Sequence, residues 1–344
     1  MNTIGINSFA KGQIEWIKEK CDIIRPLVVI RCITYNHEPY IRDALDGFVM
    51  QKTDFPYIAI VHDDASTDNT AKIISEYAEK YPDIILPILE KENQYSKGNG
   101  SIGRILNPAC ESTGAKYIAL CEGDDYWTDP LKLQKQVDFL ESHPEYGMCY
   151  TSIYRFDESI NKNIEEWGGP NETFVDLLLC NTIPTLTSIC RIDLYKKYIN
   201  TIKPENKNWK MGDYPIWLFF SIYSKLYFLS EVTGTYRILR ESASHTKSLR
   251  KRYDFDKNYK EIGEFFIDNF KESVNEDVVD RFIQSKFDTL LPMAIVLNDE
   301  KIVNLAHSYY KNRRKSFKIW CLMLPKCLIR LPLLLKYRLQ GYKD

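Results

Sequence analysis

Among the 344 residues of this chain there is no Cys-x-x-Cys pair, and the nine cysteines are odd in number and scattered. That argues against a disulfide framework and against a zinc site. Cys32 and Cys121 lie inside apolar runs and read as small buried hydrophobes. No stretch supplies the roughly 18–20 uncharged apolar residues of a membrane span, and the opening MNTIGINSFAKGQIEWIKEK contains no continuous apolar core of a signal peptide. A reducing cytoplasm is therefore the expected compartment. The formal net charge is only −1, so no global field marks a nucleic-acid binder, and charge has to be read patch by patch. Internal repeats and low-complexity tracts are absent as well.

What is present is an ordinary core-forming composition, 44% hydrophobic with 13% aromatic residues, in a chain long enough for one large α/β domain with appendages. Residues 11–21 read as a short lead-in helix before Arg25-Pro26. Leu27 to Ile33 is a mostly apolar, β-branched run that enters the polar loop Thr34-Tyr35-Asn36-His37, the pattern of a buried strand. Helical spacing follows over 39–50, a second strand over 57–62, helical spacing again from Asp68, and a third strand over 84–89. Alternating strands and helices predict a mostly parallel, Rossmann-like sheet with helices on its faces. A polar stretch (92–107), a helix over 105–113, a fourth strand over 116–121 and a helix over 130–142 come next. Strand character returns at 146–154, 185–190 and 226–237, with helices near 174–180 and 213–223. Residues 157–172 are polar and unassigned, and 253–311 read as all-helical.

Ligands of open parallel sheets bind beyond the carboxyl ends of the strands. Here those ends carry Thr34, Tyr35 and Asn36, then Asp63 and Asp64, then Glu122, Asp124 and Asp125. Carboxylates one residue apart at a strand end can share a cation, and Mg2+ and Mn2+ prefer oxygen ligands completed by substrate phosphates. Such an acidic turn can also simply cap the next helix, although Thr128-Asp129-Pro130 already offers that cap. The pair Tyr126-Trp127 fits a core role.

Three ordered segments resemble the family-two inverting glycosyltransferases of the GT-A (nucleotide-diphospho-sugar transferase) fold: VVIRCITYNHEPYIRDAL (28–45), IVHDDASTDNTAKII (60–74) and YIALCEGDDYWTDPLKLQKQV (117–137). The resemblance covers about 27–245 and is strongest up to residue 150. It implies a nucleotide-sugar donor, with UDP-sugars expected, held by Thr34, Tyr35, Asn36, Asp63, Asp64, Arg104, Asp124 and Arg237. Tyr35 would lie near the base and Asp63 would accept from it. Arg104 stands in SIGRILN (101–107), which looks like a variant of the family's Ser-x-Ala-Arg-Asn stretch. A divalent Mn2+ or Mg2+ would be held chiefly by Asp124, assisted by Glu122, where the family more often has Asp. His245, in a late element together with Tyr236-Arg237, is a further implied metal or diphosphate contact, displaced from the family's usual spacing. Asp213, in KMGDYPIWLFF (210–220), falls where the family places the base that deprotonates the acceptor hydroxyl. It also precedes a helix and fits an N-terminal cap, and the two roles are compatible.

The expected layout is a lead-in helix over 1–26, a GT-A catalytic domain over 27–250, a helical region over 251–312 and a basic amphipathic tail over 313–344. From Lys311 onward, ten lysines and arginines face a single acid, Asp344. On one continuous helix Lys318, Lys326, Arg330 and Lys336 would share a third of the circumference, with Pro325 and Pro332 as interruptions. Such a segment reads either as a helix packed on the domain or as an anchor at the inner membrane surface. The expected acceptor is a saccharide or lipid-linked hydroxyl in bacterial surface-polysaccharide assembly. A nucleotidyltransferase of related fold, or a non-catalytic nucleotide-sugar binder, is the alternative. The sequence identifies neither the sugar nor the oligomeric state.

Overall fold

A computed structural model describes residues 8–239, 246–311, 313 and 317–342. In chain order the elements are α1 (Ser8–Ile24), β1 (Val28–Thr34), α2 (Ile41–Val49), β2 (Tyr57–Asp63), α3 (Thr70–Lys80), β3 (Ile85–Leu89), α4 (Ser101–Ser112), β4 (Tyr117–Leu120), β5 (Tyr126–Trp127) and α5 (Lys132–Ser142). They continue with β6 (Tyr146–Asp157), β7 (Lys162–Trp167), α6 (Phe174–Leu179), β8 (Ile189–Arg191), α7 (Ile192–Ile202), α8 (Tyr214–Tyr223) and β9 (Lys225–Ile238). Five helices close the chain: α9 (Leu249–Asn269), α10 (Glu276–Leu297), α11 (Glu300–Tyr310), α12 (Phe317–Leu322) and α13 (Lys326–Leu339).

The chain divides into two compact units. The first comprises Met1–Thr173, Asn181–Asn208 and Ile216–Arg237. It is built on one sheet in the order β3-β2-β1-β4-β8-β6-β9-β5, with β7 paired to β6. Strands β1 to β4 run parallel, whereas β8 is antiparallel to β4 and to β6. Every residue of β2 is buried, as expected for a central strand covered on both faces. Pro87, which cannot donate to a ladder, is accommodated because β3 is the edge strand. Val28, Ile30, Cys32, Ala59 and Val61 of the sheet pack with Ala44, Leu45 and Phe48 of α2 and with Trp127. Cys32 and Cys121 are buried there, as expected of small hydrophobes.

The unassigned stretch 157–172 contains β7, which forms an antiparallel hairpin with β6. Its sequence, KNIEEW, is charged and solvent-exposed, so no apolar alternation betrays it; the ladder and the Arg155–Glu165 ion pair hold it instead. Helix α4 begins at Ser101 rather than at 105, after Gly100 in the left-handed region.

The second unit comprises Phe174–Cys180, Trp209–Pro215 and Ile238–Asp344. Within it Leu249, Tyr253, Leu290, Leu291, Ala294, Ile302 and Ala306 form a second core. Capping is explicit here: Ser248, Asn275 and Asp299 each accept a backbone N–H at the start of α9, α10 and α11. The basic tail is two helices, not one, so Lys318 does not share a helix with Lys326, Arg330 and Lys336. Pro325 precedes α13, but Pro332 lies inside it without ending it. Its missing N–H leaves the carbonyl of Leu328, an exposed residue, without an intrahelical donor.

Candidate active site

The carboxyl ends of β1, β2 and β4 converge. Beyond β4 the chain keeps alongside β1: Cys121 N–H donates to Arg31 O (3.2 Å) and Gly123 N–H to Ile33 O (3.0 Å). Across β1, Asp64 N–H donates to Thr34 O (3.0 Å). A Cβ on Gly123 would stand 2.4 Å from the Thr34 methyl, 3.0 Å from Ile41 Cδ1 and 3.1 Å from His37 Nδ1. Only glycine lets the acidic turn lie this close to the end of β1.

Asp63 is buried and well supplied. Its Oδ1 accepts from the hydroxyls of Thr34 (3.2 Å) and Ser66, and its Oδ2 from Ser66 N–H (3.0 Å). Asn36, at positive φ, binds the facing loop: its N–H donates to Ser66 Oγ (2.9 Å) and its Oδ1 accepts Thr67 N–H (2.8 Å). Tyr35 is half exposed at the rim. Asp64 turns to the polar stretch that follows β3, its two carboxylate oxygens accepting the N–H groups of Gln94 (2.6 Å) and Tyr95 (3.0 Å).

Along the acidic turn exposure alternates: Glu122 is exposed, Gly123 buried, Asp124 partly exposed and Asp125 buried. Asp125 accepts the N–H of Arg237 (2.9 Å), and burial, reinforced by the neighbouring Asp124 charge, pushes its carboxyl well above the usual carboxylate range. Asp124 differs: its Oδ1 is buried and receives no hydrogen bond. Its backbone carbonyl accepts from Arg237 Nη1 (3.0 Å). The Arg237 guanidinium also pairs with Asp43 and with Glu158 (3.0 Å from Nε), and lies 4.5 Å over Tyr126.

An orphaned carboxylate oxygen beside an exposed Glu122 suits a hard divalent cation that takes its remaining ligands from a diphosphate. Among the described residues no group of three or more His, Cys, Asp and Glu gathers as a cation cage. His245 lies outside the described residues. Sequence reasoning passed over His37, whose Nδ1 is buried without a partner and whose imidazole burial holds below its ordinary value of 6.5. Its place directly after Tyr35-Asn36 was the available signal.

The other expected residues have partners of their own. Arg104, on α4, donates to the carbonyls of Asn99 and Glu205 and to Asn206 Oδ1 (3.3 Å). Asp213 belongs to the second unit, where its Oδ1 accepts the N–H of Tyr214 at the first turn of α8 (2.8 Å). Tyr126-Trp127 forms β5, with the buried Trp127 indole donating to Leu186 O (2.6 Å).

The family model described as "Glycosyl transferase family 2" matches residues 30–199, the span that holds Thr34, Asp63 and the acidic turn. This part of the chain is a family 2 glycosyltransferase domain. An uncharacterised protein of Mycobacterium tuberculosis is 51% identical over 121 residues, 35% of this chain and 33% of its own length. The amylovoran biosynthesis glycosyltransferase AmsE of Erwinia amylovora is 27% identical over 126 residues, 36% of this chain and 44% of that one. The chain thus aligns with about a third of the mycobacterial relative and less than half of AmsE. Two solved structures share the fold. Staphylococcus aureus TarS 1-349 in complex with UDP-GlcNAc has a TM-score of 0.52 at 17% identity, over 92% of this chain and 93% of that one. The mannosyltransferase PcManGT of Pyrobaculum calidifontis, in complex with GDP-Man and Mn2+, has a TM-score of 0.51 at 13% identity, over 96% and 95%. The fold is that of the GT-A glycosyltransferases, as the resemblance of the three segments implies.

Proposed function

We propose that the protein transfers a sugar, with inversion, from a nucleoside diphosphate sugar to a hydroxyl of a saccharide or lipid-linked acceptor. UDP-sugars are the donor class we favour. One observation carries this reading: Asp63, with its network of donors, and Asp124, with an orphaned oxygen, are joined through the contact of Thr34 with Gly123. Asp63 offers an acceptor to the N–H of a uracil, and half-exposed Tyr35 offers a face for the base. Asp124 and Glu122 would hold Mn2+ or Mg2+, which supplies charge neutralisation for a departing diphosphate. The UDP-GlcNAc bound to TarS, the GDP-Man bound to PcManGT and the name of AmsE support a nucleotide-sugar donor and a part in surface-polysaccharide assembly. The basic tail supports work at the inner face of the cytoplasmic membrane.

Inverting attack requires a base on the acceptor side of the sugar, and we assign it to Asp213. Arg104 and Arg237 serve, in this reading, as supports of the donor loops more than as phosphate ligands, since Arg104 donates to Asn99, Glu205 and Asn206 and the two Nη groups of Arg237 donate to Asp124 O and Asp43. The test is a panel of UDP- and GDP-sugars with Mn2+ or Mg2+, read as nucleoside diphosphate release with and without saccharide acceptors. Acceptor-dependent release from one donor is expected; release from none, or pyrophosphate exchange, overturns the reading. Asp213→Asn should bind donor as the parent does and lose about 10²–10⁴-fold in transfer; undiminished transfer would remove it from the mechanism.

A further inference from the structure

Helix α13 is apolar on two faces, and only one is covered. Ile329, Leu333, Leu334 and Tyr337 pack against the core of the second unit. On the other side Leu328, Leu331, Leu335 and Leu339 remain 63%, 62%, 51% and 90% exposed. At 3.6 residues per turn these four fall within about 80° of arc, a continuous leucine ridge along the helix. Packing on the unit and presenting an apolar surface are thus both properties of this one helix.

The charge around the ridge identifies what covers it. Lys336 and Arg338 flank the leucines on either side in the helical projection. The other two cations of the helix are used internally, Lys326 pairing with Glu300 and Arg330 donating to Val296 O (3.3 Å). No Asp or Glu occurs between residues 312 and 343. A second copy seated by two-fold symmetry would bring this acid-free cationic patch onto itself, with like charges meeting and none to pair. Insertion across a bilayer is excluded by length, because α13 has 14 residues and a span needs about 20; among the described residues no helix is long and apolar enough to cross a membrane.

We infer that the Leu328–Leu331–Leu335–Leu339 ridge of α13 lies in the interface of an anionic lipid bilayer, with Lys336 and Arg338 at the headgroups. An apolar ridge that enters the acyl boundary, combined with cations that hold to anionic lipid, gives the two signals that reversible membrane docking requires. The inference deepens the membrane part of the function proposed above and keeps the enzyme at the surface that carries a lipid-linked acceptor.

The test is co-sedimentation of the full-length protein with phosphatidylglycerol–phosphatidylcholine vesicles and with phosphatidylcholine vesicles, at low salt and at about 0.5 M salt. Binding to the anionic vesicles that weakens with salt is expected. Leu328→Ser combined with Leu335→Ser should lower it by at least about tenfold, and Lys336→Gln combined with Arg338→Gln should remove its salt dependence. Leu339→Ser, at the most exposed position, serves as a variant that disturbs no packing and should weaken binding on its own. Vesicle binding unchanged by the leucine substitutions, no binding by the parent, or a parent dimer that these substitutions dissociate would each overturn the inference. Nucleoside diphosphate release in detergent-free solution reports separately on transfer, so failure of docking and failure of the transferase reading are distinguishable.

Discussion

Arg237 holds the acidic turn at two points: its N–H donates to Asp125 Oδ1 at 2.9 Å, and its Nη1 donates to the carbonyl of Asp124 at 3.0 Å. The same guanidinium, 7% exposed, pairs with Asp43 on α2 and Glu158 in the β6–β7 hairpin. Removing this side chain takes the donor from the Asp124 carbonyl and the partner from the solvent-accessible Asp43 and Glu158, at a cost of about 1–3 kcal/mol. Arg237→Ala should therefore lower the melting temperature. In Arg237→Lys, which keeps the charge but not the fork, Mn2+ titration of donor hydrolysis should show a weaker metal requirement curve with little change in protein stability. An unaltered metal midpoint in Arg237→Lys would mean that the turn does not depend on this clamp.

Asp63 and Asp124 should separate under substitution. Asp63→Ala leaves the hydroxyls of Thr34 and Ser66 without their acceptor, about 1–3 kcal/mol of lost pairing, and should lower UDP affinity about tenfold or more with or without metal. Asp124→Asn should leave metal-free UDP affinity intact and abolish its strengthening by Mn2+. Calorimetric titration of both variants with UDP, with and without Mn2+, checks the division. Identical behaviour of the two variants would contradict it.

Gly123 and Gly103 form a matched pair. A methyl at Gly123 meets Thr34 Cγ2 at 2.4 Å, and overpacking of this kind costs about 1–3 kcal/mol. Gly103, inside α4, has its nearest neighbour at 3.6 Å, Asn107 Nδ2. Gly103→Ala should stabilise by about 0.5–1 kcal/mol, whereas Gly123→Ala should destabilise and weaken donor binding by displacing Thr34 from Asp63. Chemical denaturation of the two variants reads both signs.

Lys132 is fully buried, its Nζ donating to Gln136 Oε1 (2.7 Å) and lying 4.3 Å over the Trp127 ring. Burial pulls its pKa from 10.5 down to about 7. Above pH 10.5 the amine is neutral in both states. As pH falls from 10.5 to 7 the unfolded chain takes up a proton that the folded protein refuses, so stability declines through that window and the full cost, about 5 kcal/mol from the shift, is felt below pH 7. Lys132→Met should be more stable than the parent at neutral pH and should flatten this part of the stability–pH profile. Denaturant midpoints at pH 7, 8 and 9 give the measurement.

The first four strands and the acidic turn were legible because their signals are local: continuous apolar runs that break into carboxylates and small polar residues. Strand β7 was not, since a charged edge strand has no apolar period and exists only through its partner β6. Helix α7 was missed for a different reason, following β8 without an intervening turn. The site residues divide in the same way. Thr34, Asp63 and Asp124 stand at strand ends and could be found from position alone. Asp43, a partner of Arg237, and Glu205, a partner of Arg104, lie 194 and 101 residues away in sequence, and the turn of Asp64 toward Gln94 depends on where the chain returns after β3.

That turn has a practical meaning for exchanging loops between relatives. Asp64 rivets the backbone at Gln94 and Tyr95, and Gly100 is pinned at the far side, where a Cβ would stand 2.6 Å from Glu205 O. The stretch is a cassette with two fixed ends, Gln94-Tyr95 held by Asp64 and Asn99-Gly100 held by Arg104 and Glu205, and the exchangeable tip is Ser96 to Gly98. A chimera spliced inside that interval inherits a foreign tip on a native frame; one spliced outside it discards the frame itself.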